Sequence, residues 1–127
     1  MAVLVMEATA PSFETNARVE RLISREMSLG MSQIFLGGAS PRDPLANPLH
    51  ADFSGYPPTY IQVGGYEAIV DDALRVAERA RAAGVDVRCD VFPEMQHVFQ
   101  FMAGRAPEAD EAIARLAAWV KPRLGLA

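Results

Sequence analysis

The chain has 127 residues, a net charge of −4, half of its residues hydrophobic and 22% charged. That length suits one modest core, and the composition excludes a disordered chain. Arginines are spread without a basic block, which excludes a nucleic-acid surface, and the single cysteine, Cys89, excludes an intrachain disulfide.

In chain order, "AVLVM" (2–6) is a short β-branched apolar run that reads as a buried parallel strand. It has no positively charged flank and is too short for a signal peptide or a membrane span, so a soluble, cytoplasmic protein is expected. The polar stretch "EATAPSFETNAR" reads as a loop in which Pro11 breaks any helix. "SREMSLGMSQIFLGG" predicts a helix opened by the N-cap Ser24 and closed at Gly37 and Gly38, with Met27, Gly30, Met31, Ile34 and Phe35 at helical spacing. Residues 39–58 carry 5 prolines and read as an extended surface loop, long enough to suggest a role beyond connection.

A strand over 59–65 ends in two glycines. A helix over 71–84 follows, acidic at its start and closed by Gly84. A strand with one buried face, near an edge, spans 85–92. The last helix, 107–125, starts near Pro107, is limited by Pro122, and is expected to bury Ile113, Leu116, Ala117 and Val120. Alternating strands and helices predict an α/β layered fold with about three parallel strands and flanking helices. A sheet that small has two apolar faces and little to cover them, which points to part of a larger fold.

In such sheets, sites collect beyond the C-terminal strand ends. One end offers Glu67, Asp71 and Asp72, and the other offers His97 in "VFPEMQHVFQFM". A carboxylate on that rim would hold the imidazole by its Nδ1–H and stabilise the imidazolium formed when the other nitrogen takes a proton. Asp71 remains an alternative acid, Asp72 reads better as a helix N-cap, and His50 in "PLHADF" reads as an ordinary loop residue. Cys89 lies inside a strand and is a poor nucleophile candidate. No Cys/His cluster has metal spacing and "VGGYE" is too weak to be a phosphate cradle, so no cofactor and no metal are expected.

The run "DPLANPLHADFSGYPPTYIQVGGYEAIVDDALRVAERARAAGVDVRCDVFPEMQHVF" resembles the C-terminal part of the hormone-sensitive-lipase-like branch of α/β-hydrolase esterases. Residues 12–38 resemble the preceding cap-side segment. The resemblance implies a partial α/β-hydrolase fold lacking its N-terminal half, with Glu67 as the acid and His97 as the base, 30 residues apart. Two departures stand out. The family's acid is commonly Asp, and its Pro-Gly before the histidine is Pro93-Glu94 here, so a backbone of positive φ at that position would strain Glu94.

The same resemblance demands a G-x-S-x-G nucleophile elbow and an HGGG-type oxyanion motif, and the sequence contains neither. Ser32 in "GMSQI" lies mid-helix and Ser40 precedes Pro41. The expectation is therefore one partial domain over 1–127: a strand and cap-side helical segment (1–38), a Pro-rich loop (39–58) and a βαβα unit (59–127) carrying acid and base. Its function would be that of a carboxylester hydrolase portion, inactive alone and acting on ester substrate only if another chain completes the site. The alternative is a non-catalytic remnant that folds by self-association. Expected partners are a second copy or a separate N-terminal half, with no nucleic acid and no membrane span.

Overall fold

A computed structural model describes residues 5–126. Two parallel strands, β1 (Thr59–Gly64) and β2 (Val87–Phe92), pair from Thr59 against Val87 to Gly64 against Phe92. The helices are α1 (Ser12–Thr15), α2 (Arg25–Leu36), α3 (Val70–Ala82) and α4 (Pro107–Val120). Where about three strands were expected, two pair among the described residues. The strand expected over 2–6 lies outside them except for Val5 and Met6, which are buried without strand pairing. The chain divides by packing into two compact units, Met1–His97 and Val98–Ala127.

The first unit is built on β1–α3–β2. Small residues line the buried face of α3 (Ala73, Ala77, Ala80, with Val76), so the helix lies close to the sheet and packs with Ile61 and Val63. Asp71 and Asp72 in its first turn and Arg79 and Arg81 in its last suit the helix dipole, and Gly84 takes the left-handed conformation after it, at φ 84°. One network beside the strands is polar. Tyr60 donates to Asp90 Oδ2 at 2.7 Å, and the Arg88 guanidinium pairs with Asp90 while lying 4.9 Å over the Tyr60 ring.

Three expectations are corrected here. Pro11 does not prevent a helix; it is the N-cap of α1, where its missing N–H costs nothing. The 39–58 segment is not merely a surface loop. Its 3-10 turn at Pro48–His50 puts Leu49 in the core together with Phe53, and Asn47 is fully buried, donating to Pro41 O at 2.8 Å and accepting from Leu49 N at 3.0 Å. Asp72 does not cap α3, which starts after Ile69. It is fully buried within the first turn, with Oδ1 3.3 Å from Arg75 and Oδ2 without a hydrogen-bond partner.

Burial raises the Asp72 carboxyl from its ordinary 3.8 to about 6, against the opposing charge of Arg75. A folded-state value above the unfolded one means that ionisation opposes folding, and the stability held in acid is lost as pH rises from about 4 to about 6. Asp72→Asn is expected to stabilise the chain by about 2 kcal/mol at pH 7 and by almost nothing near pH 4. Urea unfolding of both proteins across that range checks it, and equal midpoints at pH 7 would refute it.

Helix α2 has the expected caps: the Ser24 hydroxyl accepts from Met27 N, and Gly37 closes the helix at φ 55°. It buries Ser28 and Ser32, while Ile34 and Phe35 are exposed at 85% and 69%. Ser32 donates its hydroxyl to Ser28 O at 2.8 Å, which lets that side chain be buried. In the second unit, α4 begins at Pro107 as expected and packs with the 3-10 turn Phe99–Met102. It buries Ala109 and Ala112, not the expected stripe: Ile113 and Leu116 are exposed and Ala117 and Val120 are half-buried. Among the described residues no helix is long and apolar enough to cross a membrane.

Candidate active site

The C-terminal ends of β1 and β2 are adjacent, and the segments leaving them are held together by the main chain. Gly65 N donates to Phe92 O at 2.8 Å, extending the ladder by one bond, and Tyr66 N donates to Met95 O at 3.1 Å. Gly64 is buried where these segments meet, and a Cβ there would lie 2.2 Å from Met95 O. The glycine is thus required by the closeness of the His97 loop to the strand end.

On this frame Glu67 and His97 meet. Glu67 is 4% exposed, and its carboxylate serves both sides of the turn. Oε1 accepts from Gly64 N at 2.6 Å and Oε2 accepts from His97 Nδ1–H at 2.7 Å. With Nδ1 occupied, Nε2 is the ring nitrogen left for proton exchange. The Glu67 hydrogen bond raises His97 above its ordinary 6.5; burial opposes it, and the charges of Glu67 and then Glu20 add to it.

The other candidates lie elsewhere. Asp71 Oδ2 accepts from Ser12 N at 2.8 Å, and Asp72 pairs with Arg75, so of the three acids Glu67 is the one brought to His97. His50 Nε2 pairs with Glu7 Oε2 at 2.8 Å, and that bond, against burial, holds Glu7 below its usual range. Cys89 packs beside the core on β2, where burial pushes its thiol up and keeps it protonated. No serine hydroxyl hydrogen-bonds His97 among the described residues. Ser12 donates to Ala68 O at 2.7 Å, Ser32 is turned back onto α2, and Ser40 accepts from Arg42 N. A cleft of about 540 Å³ runs beside α2, lined by Met6, Leu29, Ser32 and Leu36 among others, but neither Glu67 nor His97 lines it. Among the described residues no three His, Cys, Asp or Glu side chains are grouped to hold a metal ion.

A family described as "alpha/beta hydrolase fold" matches residues 1–101. The chain belongs to that family. Its curated relatives include an acetyl-hydrolase of Streptomyces hygroscopicus, 39% identical over 75% of this chain and 32% of the relative. An esterase of Acinetobacter venetianus is 34% identical over 90% of this chain and 38% of the relative. Among solved structures, an esterase from the bacterial hormone-sensitive lipase family superposes with TM-score 0.89 at 44% identity, over 91% of this chain and 39% of that one. A hormone-sensitive lipase from a metagenome library gives 0.90 at 34%, over 94% and 41%. The chain thus spans 32% to 41% of the length of these relatives, in their C-terminal part.

The histidine loop of this member of the alpha/beta hydrolase fold family carries the strain expected of Pro93-Glu94. Glu94 sits at φ 62° and Val98 at φ 52°, on either side of His97. For Glu94→Gly, relief of the left-handed strain outweighs the extra freedom of an unfolded glycine. A gain of about 0.5 kcal/mol is expected, seen as a higher urea midpoint with an unchanged slope.

Sequence reasoning missed the residues that brace this loop. Asn16 Nδ2 lies 2.9 Å from both Gly65 O and Glu67 O. Glu20 Oε2 accepts from Ala68 N at 2.8 Å. Gln96 accepts from Arg21 N at 3.0 Å and donates to Val19 O at 2.9 Å. Of these, only Asn16 fell in the polar stretch singled out in the sequence, and nothing there marked it as a brace.

Proposed function

We propose that this chain supplies the acid and the base of a carboxylester hydrolase site, with Glu67 orienting His97 and the nucleophilic serine coming from outside these 127 residues. The observation that carries the reading is the 2.7 Å bond from His97 Nδ1 to a buried glutamate whose other oxygen is tied to the end of β1. In the completed site His97 Nε2 takes the proton of the serine hydroxyl as its oxygen attacks the ester carbonyl. The imidazolium, stabilised by Glu67, returns that proton to the leaving alcohol. A water deprotonated by His97 then releases the acid and restores the serine. The carboxylester class follows from the esterase relatives.

Without the serine and its oxyanion donors, most of the acceleration is lost. The isolated chain is therefore expected to show no His97-dependent turnover of short-chain esters. Fusing the upstream part of the 44%-identical bacterial esterase to residues 1–127 is expected to give turnover that His97→Ala abolishes. A folded but inactive fusion would count against the base role, and turnover by the lone chain that dies with His97→Ala would overturn the external serine.

A second reading, a self-associating remnant without catalysis, is favoured by the exposure of Ile34, Phe35 and Leu45 and by a sheet of two strands among the described residues. It predicts a discrete oligomer in light scattering, inactive with or without the fused upstream part.

A further inference from the structure

Residues 16–23 lie between α1 and α2, far in sequence from both strand ends, yet they bond to both segments of the site. On the acid side, Asn16 Nδ2 donates to Gly65 O and Glu67 O, and Glu20 Oε2 accepts from Ala68 N, the residue after the acid. On the base side, Gln96, the residue before the histidine, is bonded at both ends of its amide to Val19 and Arg21. The Glu20 carboxylate is itself fixed, because Oε1 also accepts from Leu22 N at 2.7 Å and Ile23 N at 3.2 Å. A half-buried carboxylate held by three backbone donors cannot swing away into water.

We infer that the 16–23 segment is a positioning strap for the Glu67–His97 pair, tied to the acid side through Asn16 and Glu20 and to the base side through Gln96. The inference rests on the acid–base reading above. The strap fixes the separation of acid and base through Asn16 and Gln96. The Glu20 charge also acts through space on His97, whose ring is partly withdrawn from water, where Coulombic effects are screened less. The charged groups acting on His97 are Glu67 by contact and Glu20 through space. Glu94 in the same loop and Arg18 and Arg21 in the strap are the other charged residues of the surrounding segments, and all three are exposed. Glu20 is thus a positioning residue for the base and takes no part in the bond-breaking steps.

The test is an NMR titration of His97 in the full chain, its signal assigned by loss in His97→Ala, with Glu20→Gln and Glu67→Gln run in parallel. Glu20→Gln keeps the side-chain length but has one acceptor oxygen, so it removes the charge and gives up part of the backbone bonding of the strap. It is expected to shift the His97 titration downward. A purely structural Glu20 would not move that titration in a folded variant, so an unchanged midpoint overturns the inference. If Glu67→Gln also leaves the titration unmoved, the acid–base reading falls with it; if only Glu67→Gln moves it, the strap alone is refuted. Should Glu20→Gln fail to fold, Gln96→Leu decides. Releasing the loop from Val19 and Arg21 is expected to broaden the Nδ1–H signal and lower the titration, and wild-type behaviour in that variant overturns the inference.

Discussion

Gly64→Ala is expected to destabilise the chain by about 3 kcal/mol or more and to break the acid–base contact at the same time. The added Cβ would lie 2.2 Å from Met95 O, 2.6 Å from Met95 C and 3.0 Å from Gln96 O. All of these are backbone atoms, so no side-chain rotation relieves the clash, and either the loop or the end of β1 has to move. The residues that would move are those that set the geometry: Gly64 N is a donor to Glu67, Met95 O accepts from Tyr66, and Gln96 precedes His97. Urea unfolding reads the stability loss, and disappearance of the downfield His97 Nδ1–H resonance reads the broken contact. Gly65→Ala is the control. There the nearest atom is Pro93 Cα at 3.3 Å, which needs only a few tenths of an ångström, and a loss of about 1 kcal/mol is expected. Equal, small effects at both positions would mean that the loop does not need its close approach to the strand.

What could be read in the sequence follows from the range of each interaction. Ser24 and Gly37 act on backbone groups within one turn, so both ends of α2 were legible. Glycines closing β1 and Pro93 closing β2 marked the two strand ends, and a parallel sheet gathers such ends on one rim, so Glu67, Asp71 and Asp72 could be placed near His97, while the choice of Glu67 among them came from the family resemblance. The positive φ of Glu94 was legible from the glycine that the resembling family carries there. Helix faces were not. The apolar spacing in α4 pointed to Ile113 and Leu116, but a helix buries whichever side its neighbour covers, and in α4 that side carries Ala109 and Ala112. Asp72 looked like a cap because acidic residues favour a helix start, yet α3 begins two residues earlier and carries it indoors. The strap was invisible for a different reason. Its bonds to the two loops join residues 48 to 77 positions apart, and no local pattern encodes such pairings.

Glu67→Gln is expected to have the second large effect, on the charge state of His97. The native carboxylate accepts twice, from Gly64 N and from His97 Nδ1–H, with one oxygen each. A carboxamide has one acceptor oxygen, so it either keeps the strand end and turns its NH2 toward the imidazole, or keeps the imidazole and leaves Gly64 N unpaired. The first arrangement loses the bond that chiefly raises His97, the second keeps it only as a neutral one, and both lose the Glu67 charge, while the burial that lowers His97 remains. The His97 titration is therefore expected to fall. Because the native folded value lies above the unfolded 6.5, the stability linked to His97 protonation is fully present below pH 6.5 and is lost as pH rises through the raised value. The deficit of Glu67→Gln is thus expected to be largest on the acid side of that window, at about 1–3 kcal/mol, and smaller above it, where only the neutral Nδ1–H bond is at stake. Unfolding measured at pH 6 and pH 9 separates the two contributions. A deficit that grew with pH would mean that the imidazole is held neutral in the fold, the reverse of what a stabilised imidazolium requires. Glu67→Asp completes the argument, because it keeps the charge but is one methylene shorter. From the same backbone it cannot reach both Gly64 N and His97 Nδ1, so it is expected to retain part of the raised titration while losing stability through the contact it gives up.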